Sequence, residues 1–413
     1  MANFINKLQD YPRQFWLIFF GRFLATAGVS MIWPFLLLYV SKKLDLPLTQ
    51  VATLMTINAV TGIIASLVAG PLIDRIGRKW IMVIALFAHA GMYILMAQAN
   101  SYLAFAGLMA LSGVANPLYR IGAEAMIADL VHPEKRAEAF ALVRWSNNLG
   151  VAMGPVIGGY LVVISYVLTF RFAAGGMLLY GTLLFLFARE TLPPVQDSGN
   201  DGNIIKVNGG YKRVFQDKSY LATVGVIAIG WITAAMMWIL LPVYSSQQFN
   251  IPENQYGLIP STNALMVVLF QLRMTKITKQ FNPMRMMALG MVFYGIGTGL
   301  VALSNNFWGF WFSMVIITIG ELIFAPTSST YVANIAPADM RGRYMSIFNL
   351  VQRFAAGTGP VLGGWLSDSI HPRATWVGGL FAGLSSAFGL LLLSKRSAKE
   401  QTTQAVENPQ QSQ

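Results

Sequence analysis

Six charged side chains fall four or more residues inside long apolar runs of this sequence: Arg22, Arg120, Glu124, Arg144, Glu321 and Arg353. A charge held away from water is costly, so such residues by default mark a path for protons, ions or a charged solute. Glu321 is the sharpest case. It lies near the middle of its run, roughly 20 Å from one end at the helical rise per residue. No acid lies within a turn of it, and no basic residue is near in sequence. A carboxyl withdrawn from water takes up and releases a proton near neutral pH. The competing reading pairs Glu321 with Arg353, at similar depth, as a structural bridge. Arg120 and Glu124 are four apart and share a helix face. They read equally as a buried salt bridge or as a working pair, with Glu124 a second proton site. Arg22 and Arg144 are left over. They either meet an anionic group or reach toward the interface. His89 is expected to be a hydrogen-bonded structural residue. No phosphate-binding glycine loop is present, so ATP is not expected to supply energy. With no cysteines and three scattered histidines, a metal site is not expected either. No catalytic constellation emerges, and an enzyme is not expected.

The elements that carry these charges are apolar runs of bilayer-crossing length, about 20 residues each. Twelve are read: 14–40, 48–69, 81–99, 102–128, 138–163, 168–188, 219–245, 255–275, 285–304, 307–333, 343–366 and 374–394. Composition agrees, with 55% hydrophobic and only 11% charged residues, against about 25% charged in soluble domains. The expectation is an all-α membrane protein. The net charge of +12 does not point to nucleic acid. Its Lys and Arg concentrate in the loops after spans 2, 4, 6, 8 and 10, which is a topology bias placing both termini in the cytoplasm. The first apolar run reads as a full span, with no cleaved leader expected. Residues 191–218 are rich in Pro, Gly and Asp and read as a cytoplasmic linker between a bundle at 1–190 and another at 219–394. The Gln/Ser-rich tail, 395–413, is expected to be disordered.

A shift of 205 residues aligns the halves. Trp33 meets Trp238, Pro47 meets Pro252, Asn58 meets Asn263, and Gly154, Pro155, Gly158 and Gly159 meet Gly359, Pro360, Gly363 and Gly364. Two pseudo-symmetric six-helix bundles follow, with a solute path between them near the midplane. The charges do not repeat: Glu321 aligns with Asn116, Arg120 with Ala325, and Glu124 with Ser329. Trp33, Asn58, Asn116, Trp238, Asn263 and Tyr294 are candidates to line that path.

Between spans 2 and 3 lies Gly70-Pro-Leu-Ile-Asp74-Arg75-Ile-Gly77-Arg78-Lys79. Gly70 is expected to admit another backbone, and Gly77 to take a left-handed turn. The stretch resembles G-x-L-x-D-R-x-G-R-K, the cytoplasmic loop motif of the major facilitator superfamily of secondary transporters. That resemblance implies twelve transmembrane helices in two bundles. It also implies that Asp74 and Arg78 join Asp129, at the end of span 4, in a latch against the start of span 11. Gly150, Gly154, Pro155, Gly158 and Gly159 of span 5 resemble the pattern of the drug/proton antiporter branch, and a mid-span Gly-Glu in helix 10 is similar to that branch too. Glycines at this spacing make a groove for close helix contact, and Pro155 favours a kink.

The implied function is proton-coupled antiport in the cell membrane, exporting amphipathic or lipophilic compounds, drugs included. No cofactor is implied; the proton gradient drives it. The partners are a small-molecule substrate, protons and the lipid bilayer, and the expected unit is a monomer. Arg144 departs from the branch, where related proteins can carry an acid, and weakens an assignment to cationic drugs. The alternatives are an uptake symporter for a small anionic solute, which Arg22, Arg120 and Arg144 would serve, a lipid flippase, and a non-transporting receptor on the same scaffold.

Overall fold

The computed structural model describes residues 11–192, 211–337 and 340–407. Among these residues the chain forms twelve long helices. They are α1 (Arg13–Leu44), α2 (Leu48–Ile76), α3 (Arg78–Gln98), α4 (Tyr102–Leu130), α5 (Arg136–Ile164), α6 (Tyr166–Phe187), α7 (Lys218–Phe249), α8 (Leu258–Thr278), α9 (Pro283–Leu303), α10 (Phe307–Ile335), α11 (Arg341–Ser369) and α12 (Ala374–Glu407). Ten are both long and apolar enough to cross a membrane. The other two, α8 and α11, have the length but carry more polar residues along it. The expected all-helical membrane fold is therefore present.

Side-chain caps start several helices. Ser101 Oγ accepts from the Ala104 N–H at the start of α4, and Asn306 Oδ1 from the Gly309 N–H at the start of α10. Such caps satisfy amides that the helix itself leaves unpaired. Helix α1 tightens to a 3₁₀ turn at Trp33–Phe35, where Pro34 removes a backbone donor.

The chain forms two compact units, Met1–Gly202 with Ile239–Val268, and Asn203–Trp238 with Leu269–Gln413. In the first, α1 packs on α5 and α6, α2 on α4, and α3 on α4 and α6. The second repeats part of that plan, with α9 packed on α10 and α12. The repeat also fixes local backbone. Asp45 and Asn250, 205 positions apart, are the only non-glycine residues with positive φ among those described, at 50° and 53°. Each ends a helix ahead of the paired prolines Pro47 and Pro252.

Two boundaries differ from the sequence reading. The units do not divide at the linker alone, because Ile239–Val268 docks on the first six helices. Of the linker, 193–210 lie outside the described residues, and Tyr211–Gln216 is a short helix. The tail expected to be disordered is helical to Glu407, since α12 simply continues; 408–413 lie outside the described residues.

Candidate functional site

The turn at Gly77 is tighter than its sequence suggests. Helices α2 and α3 are separated by that one residue, whose φ of 104° disfavours any side chain. Asp74 and Arg75 thus sit in the last turns of α2, and Arg78 and Lys79 in the first turn of α3. The Arg78 guanidinium lies between two carboxylates, 3.4 Å from Asp74 Oδ1 and 3.1 Å from Asp129 Oδ2 of α4. The expected trio therefore forms. Its two arms differ: Asp74 is 69% exposed and Asp129 28%. Ala69, Ile73 and Ile81 make a buried apolar cluster with Leu72 of α2 and Leu118 and Ile121 of α4. Lys79 lies over the Trp80 ring, and Arg75 is exposed. Gly70 needs correcting. Nothing lies within 4 Å of where its Cβ would be, so the close backbone approach expected there is not made.

The span 5 motif packs as its spacing predicts. Cβ atoms at Gly150 and Gly154 would lie 2.9 Å from Ala27 N and 2.8 Å from Ala27 O, and one at Gly158 would overlap Met31 O. Three glycines a turn apart thus seat α5 against α1. Gly159, on the adjoining face, meets the backbone of Glu253. Helix α5 stays continuous through Pro155, whose carbonyl faces Gly257.

The intramembrane charges separate into distinct settings. Arg120 and Glu124 share a face as expected, but the sequence reading of a buried bridge is corrected. Their nearest atoms are 3.9 Å apart, and the side chains are 45% and 46% exposed. Asn116, one turn earlier, is exposed. Arg144 is also exposed, whereas Arg22 is only 8% exposed and lies against the Tyr119 ring. Asn58 Nδ2 donates to the Met109 carbonyl and ties α2 to α4. Trp33 and Trp238 are half-buried, and Asn263 is buried. His89 is buried beside Ser112 Oγ at 3.5 Å and stacks on Tyr93, as a structural histidine does.

In the second unit Glu321 stands fourteen residues from either end of α10. The glycine before it explains its placement. A Cβ at Gly320 would lie 2.6 Å from Gly290 O and 2.9 Å from Tyr294 N, so α10 crosses α9 in backbone contact there. Tyr294, a cavity candidate, is instead fully buried within electrostatic reach of Glu321. Its ring faces Phe324, which also contacts Trp231. Glu321 is half-buried, as is Arg353 on α11.

Comparison with known proteins agrees with this architecture. The family model of the Major Facilitator Superfamily matches residues 18–252 and 224–412. The chain belongs to the major facilitator superfamily. A Na⁺, Li⁺, K⁺/H⁺ antiporter of Planococcus maritimus is 25% identical over 401 residues, covering 90% of this chain and 92% of that protein. The quinolone resistance protein NorA of Staphylococcus aureus (strain MSSA476) is 22% identical over 390 residues, covering 94% and 98%. Among solved structures, a peptide transporter, POT, in complex with sulfate superposes with a TM-score of 0.76 at 18% identity, covering 93% of this chain and 95% of that one. A nucleoside transporter, NupG, gives 0.74 at 14%, covering 92% and 100%. At these identities the superpositions speak to the fold.

Two clusters in this transporter escaped the sequence reading. The first is Glu190, just past α6. Its Oε1 accepts from the Arg78 N–H at 2.9 Å and its Oε2 from the Lys79 N–H at 3.1 Å. It is a carboxylate cap on α3 delivered from 112 residues away, placed where a helix N-terminus favours an anion. Thr191 Oγ1 completes the join by donating to Asp129 Oδ2 at 3.0 Å. The bare start of α3 after Gly77 was the one available hint, since no local residue caps it.

The second lies at the other end of α1. Glu253 Oε1 pairs with Lys42 Nζ at 2.9 Å and accepts from Tyr166 Oη at 3.0 Å. Gln247 Nε2 donates to Ser41 Oγ, and the Tyr39 and Tyr166 rings lie 4.8 Å apart. Burial alone would raise the Glu253 pKa. The hydrogen bond from Lys42, its own backbone N–H, the lysine charge and Tyr166 outweigh that and hold it below the ordinary glutamate value.

Proposed function

We propose that this transporter is a proton-coupled antiporter that exports amphipathic or lipophilic compounds, drugs included, by alternating access. Glu321 carries the reading. It is an ionisable group at the middle of a membrane helix, within electrostatic reach of the buried Tyr294, and such a group is the simplest carrier of a proton through a bilayer. The full-length relatives support it, one being a cation/proton antiporter by name and another a drug resistance protein. Glu124 is the secondary acid, since it lies on an exposed face beside Arg120 and not at the middle of its helix. Asp74, Arg78 and Asp129, with Glu190 behind them, act as a latch on the motif side. The bias of Lys and Arg toward that side's loops supports a cytoplasmic location for it and for both termini, in a plasma-membrane transporter that works as a monomer.

The test is proton flux in proteoliposomes carrying a pH gradient, with an amphipathic dye as substrate. Addition of dye is expected to drive protons opposite to the dye. Protons moving with the substrate would make it a symporter. Movement of a labelled phospholipid without proton flux would make it a flippase.

A further inference from the structure

We propose that Arg22, Tyr119 and Tyr180 form a site for the anionic group of the transported compound, a carboxylate in the first instance. Three helices of the first unit bring these side chains together at matching depth. Counting from the helix ends on the motif side, Arg22 of α1, Tyr119 of α4 and Tyr180 of α6 lie roughly 10–17 Å into the membrane-spanning segment. Gly21 makes the arrangement possible, because a side chain there would overlap the Tyr180 ring. The Tyr119 and Tyr180 rings meet edge to face at 6.0 Å, and the Arg22 guanidinium carbon stands 5.4 Å from the Tyr119 ring centre.

This cluster lacks an anion. Among the described residues no carboxylate lies within ion-pair distance of Arg22, and Glu124 is engaged by Arg120 on an exposed face. Arg22 Nε, Tyr119 Oη and Tyr180 Oη are all buried without a partner in hydrogen-bond geometry, although the Tyr119 hydroxyl lies close to both other groups. A buried cation left unpaired is among the costlier defects a protein can carry, and a tyrosine face offsets only part of it. The three donors have only one another to turn to, through the Tyr119 hydroxyl, and together they suit one oxyanion, which would accept from the guanidinium and both hydroxyls at once. The surrounding spans add to the field, with Arg22, Arg120 and Arg144 against Glu124 alone in α1 to α6 among the six intramembrane charges. Arg144 differs from Arg22 in being exposed, so it lacks the buried setting that asks for a partner. The compounds favoured are therefore amphipathic acids or zwitterions rather than simple lipophilic cations.

The amphipathic body of the ligand rests on the export reading above; the anionic group does not. The test is equilibrium binding to the purified full chain in detergent at mildly alkaline pH, followed by dansyl fluorescence. The probes are 11-(dansylamino)undecanoic acid and its methyl ester, which share a body and differ in charge. The protein is expected to bind the acid about tenfold or more tightly than the ester, the scale of a charge-assisted buried hydrogen bond. Arg22→Gln should remove the preference and leave ester binding unchanged. Tyr119→Phe keeps the ring under the guanidinium but loses the donor, and should reduce the preference severalfold. Equal binding of acid and ester by the native protein would overturn the site. So would a full preference in Tyr119→Phe, Tyr180→Phe and Arg22→Gln alike. Displacement of acid and ester equally by inorganic phosphate would overturn it in favour of a free-ion site. Should Arg22→Gln fail to fold, the two Tyr→Phe variants carry the test alone. Binding needs no gradient, so a transporter without proton flux could still pass, and an antiporter could still fail.

Discussion

The carboxylate of Glu190 occupies the space that a Cβ at Gly77 would fill. The same carboxylate closes the start of α3 through the amides of Arg78 and Lys79. Glycine is required at 77 twice over, for its φ of 104° and for this room. Glu190→Ala is predicted to cost about 1 kcal/mol, as loss of a helix cap does. Gly77→Ala is predicted to cost more, since backbone strain of about 1–3 kcal/mol adds to the displaced carboxylate. A double-mutant cycle by denaturant unfolding in detergent measures the join. The penalty at Gly77 should shrink once Glu190 is already alanine. Additive penalties would mean that the two residues do not share a site.

The two arms of the Arg78 cluster should separate stability from turnover. Asp129 is largely covered and Asp74 largely exposed, and exposed i,i+4 pairs add only a few tenths of a kcal/mol. Asp129→Asn is therefore expected to lower stability more than Asp74→Asn does. Transport should follow a different order. On the latch reading proposed above, Asp74→Asn is predicted to depress turnover severalfold while substrate affinity holds, because its exposed carboxylate adds little to the fold. Unimpaired transport by that variant would remove Asp74 from the mechanism.

What the sequence makes legible is periodic or local. The twelve apolar runs, the 205-residue repeat that recurs in the backbone as Asp45 and Asn250, and the glycine face of α5 are all read from spacing. Asp74, Arg78 and Asp129 are legible because a motif carries them. Glu190 is not, since its partners are backbone amides, which leave no trace in side-chain pattern. Helical spacing correctly pairs Arg120 with Glu124, but says nothing of which way their shared face looks, and that face is exposed. Tyr294 failed for a related reason: aromatic residues suit a cavity wall and a packed core equally, and here the crossing at Gly290 and Gly320 buries it. Polar composition likewise concealed that α12 runs on to Glu407.

Glu253 gives a pH prediction with a definite sign. Its carboxyl titrates below the ordinary glutamate value, with Lys42 and Tyr166 outweighing burial. A carboxylate so depressed contributes its stabilisation above the ordinary value, and loses it as pH falls through the lowered one. Docking of the Glu253–Tyr256 helix on α5 should therefore hold from about pH 8 down to about pH 5 and loosen only in stronger acid. Hydrogen exchange of that short helix across this range measures it. Glu253→Gln should flatten the acid dependence. Loosening already near neutral pH would show instead that Glu253 is a proton switch.

Glu321 tests the coupling itself. Proton antiport needs one group that holds a proton when substrate is absent and gives it up when substrate is bound. A carboxyl at mid-membrane meets that need, because water and a bound ligand change its surroundings more than they change an exposed group's. Its repeat mate is Asn116, so the second half alone supplies an acid at this position. Glu321→Gln imitates the permanently protonated form. It is predicted to abolish transport driven by a pH gradient, to preserve substrate binding, and to flatten the pH dependence of that binding. Glu321→Asp should retain partial activity with a displaced pH profile, because the acid is present but a methylene short of its position. A structural bridge to Arg353 forecasts otherwise. Glu321→Gln would then strand the arginine and lower stability by several kcal/mol, on the order of 3–5 for a broken buried pair, and adding Arg353→Gln would restore it. Measuring uphill transport and unfolding in the same three variants separates the two. A stable Glu321→Gln protein that still pumps against a gradient would move the proton to Glu124, whose carboxylate stands 3.9 Å from the Arg120 guanidinium.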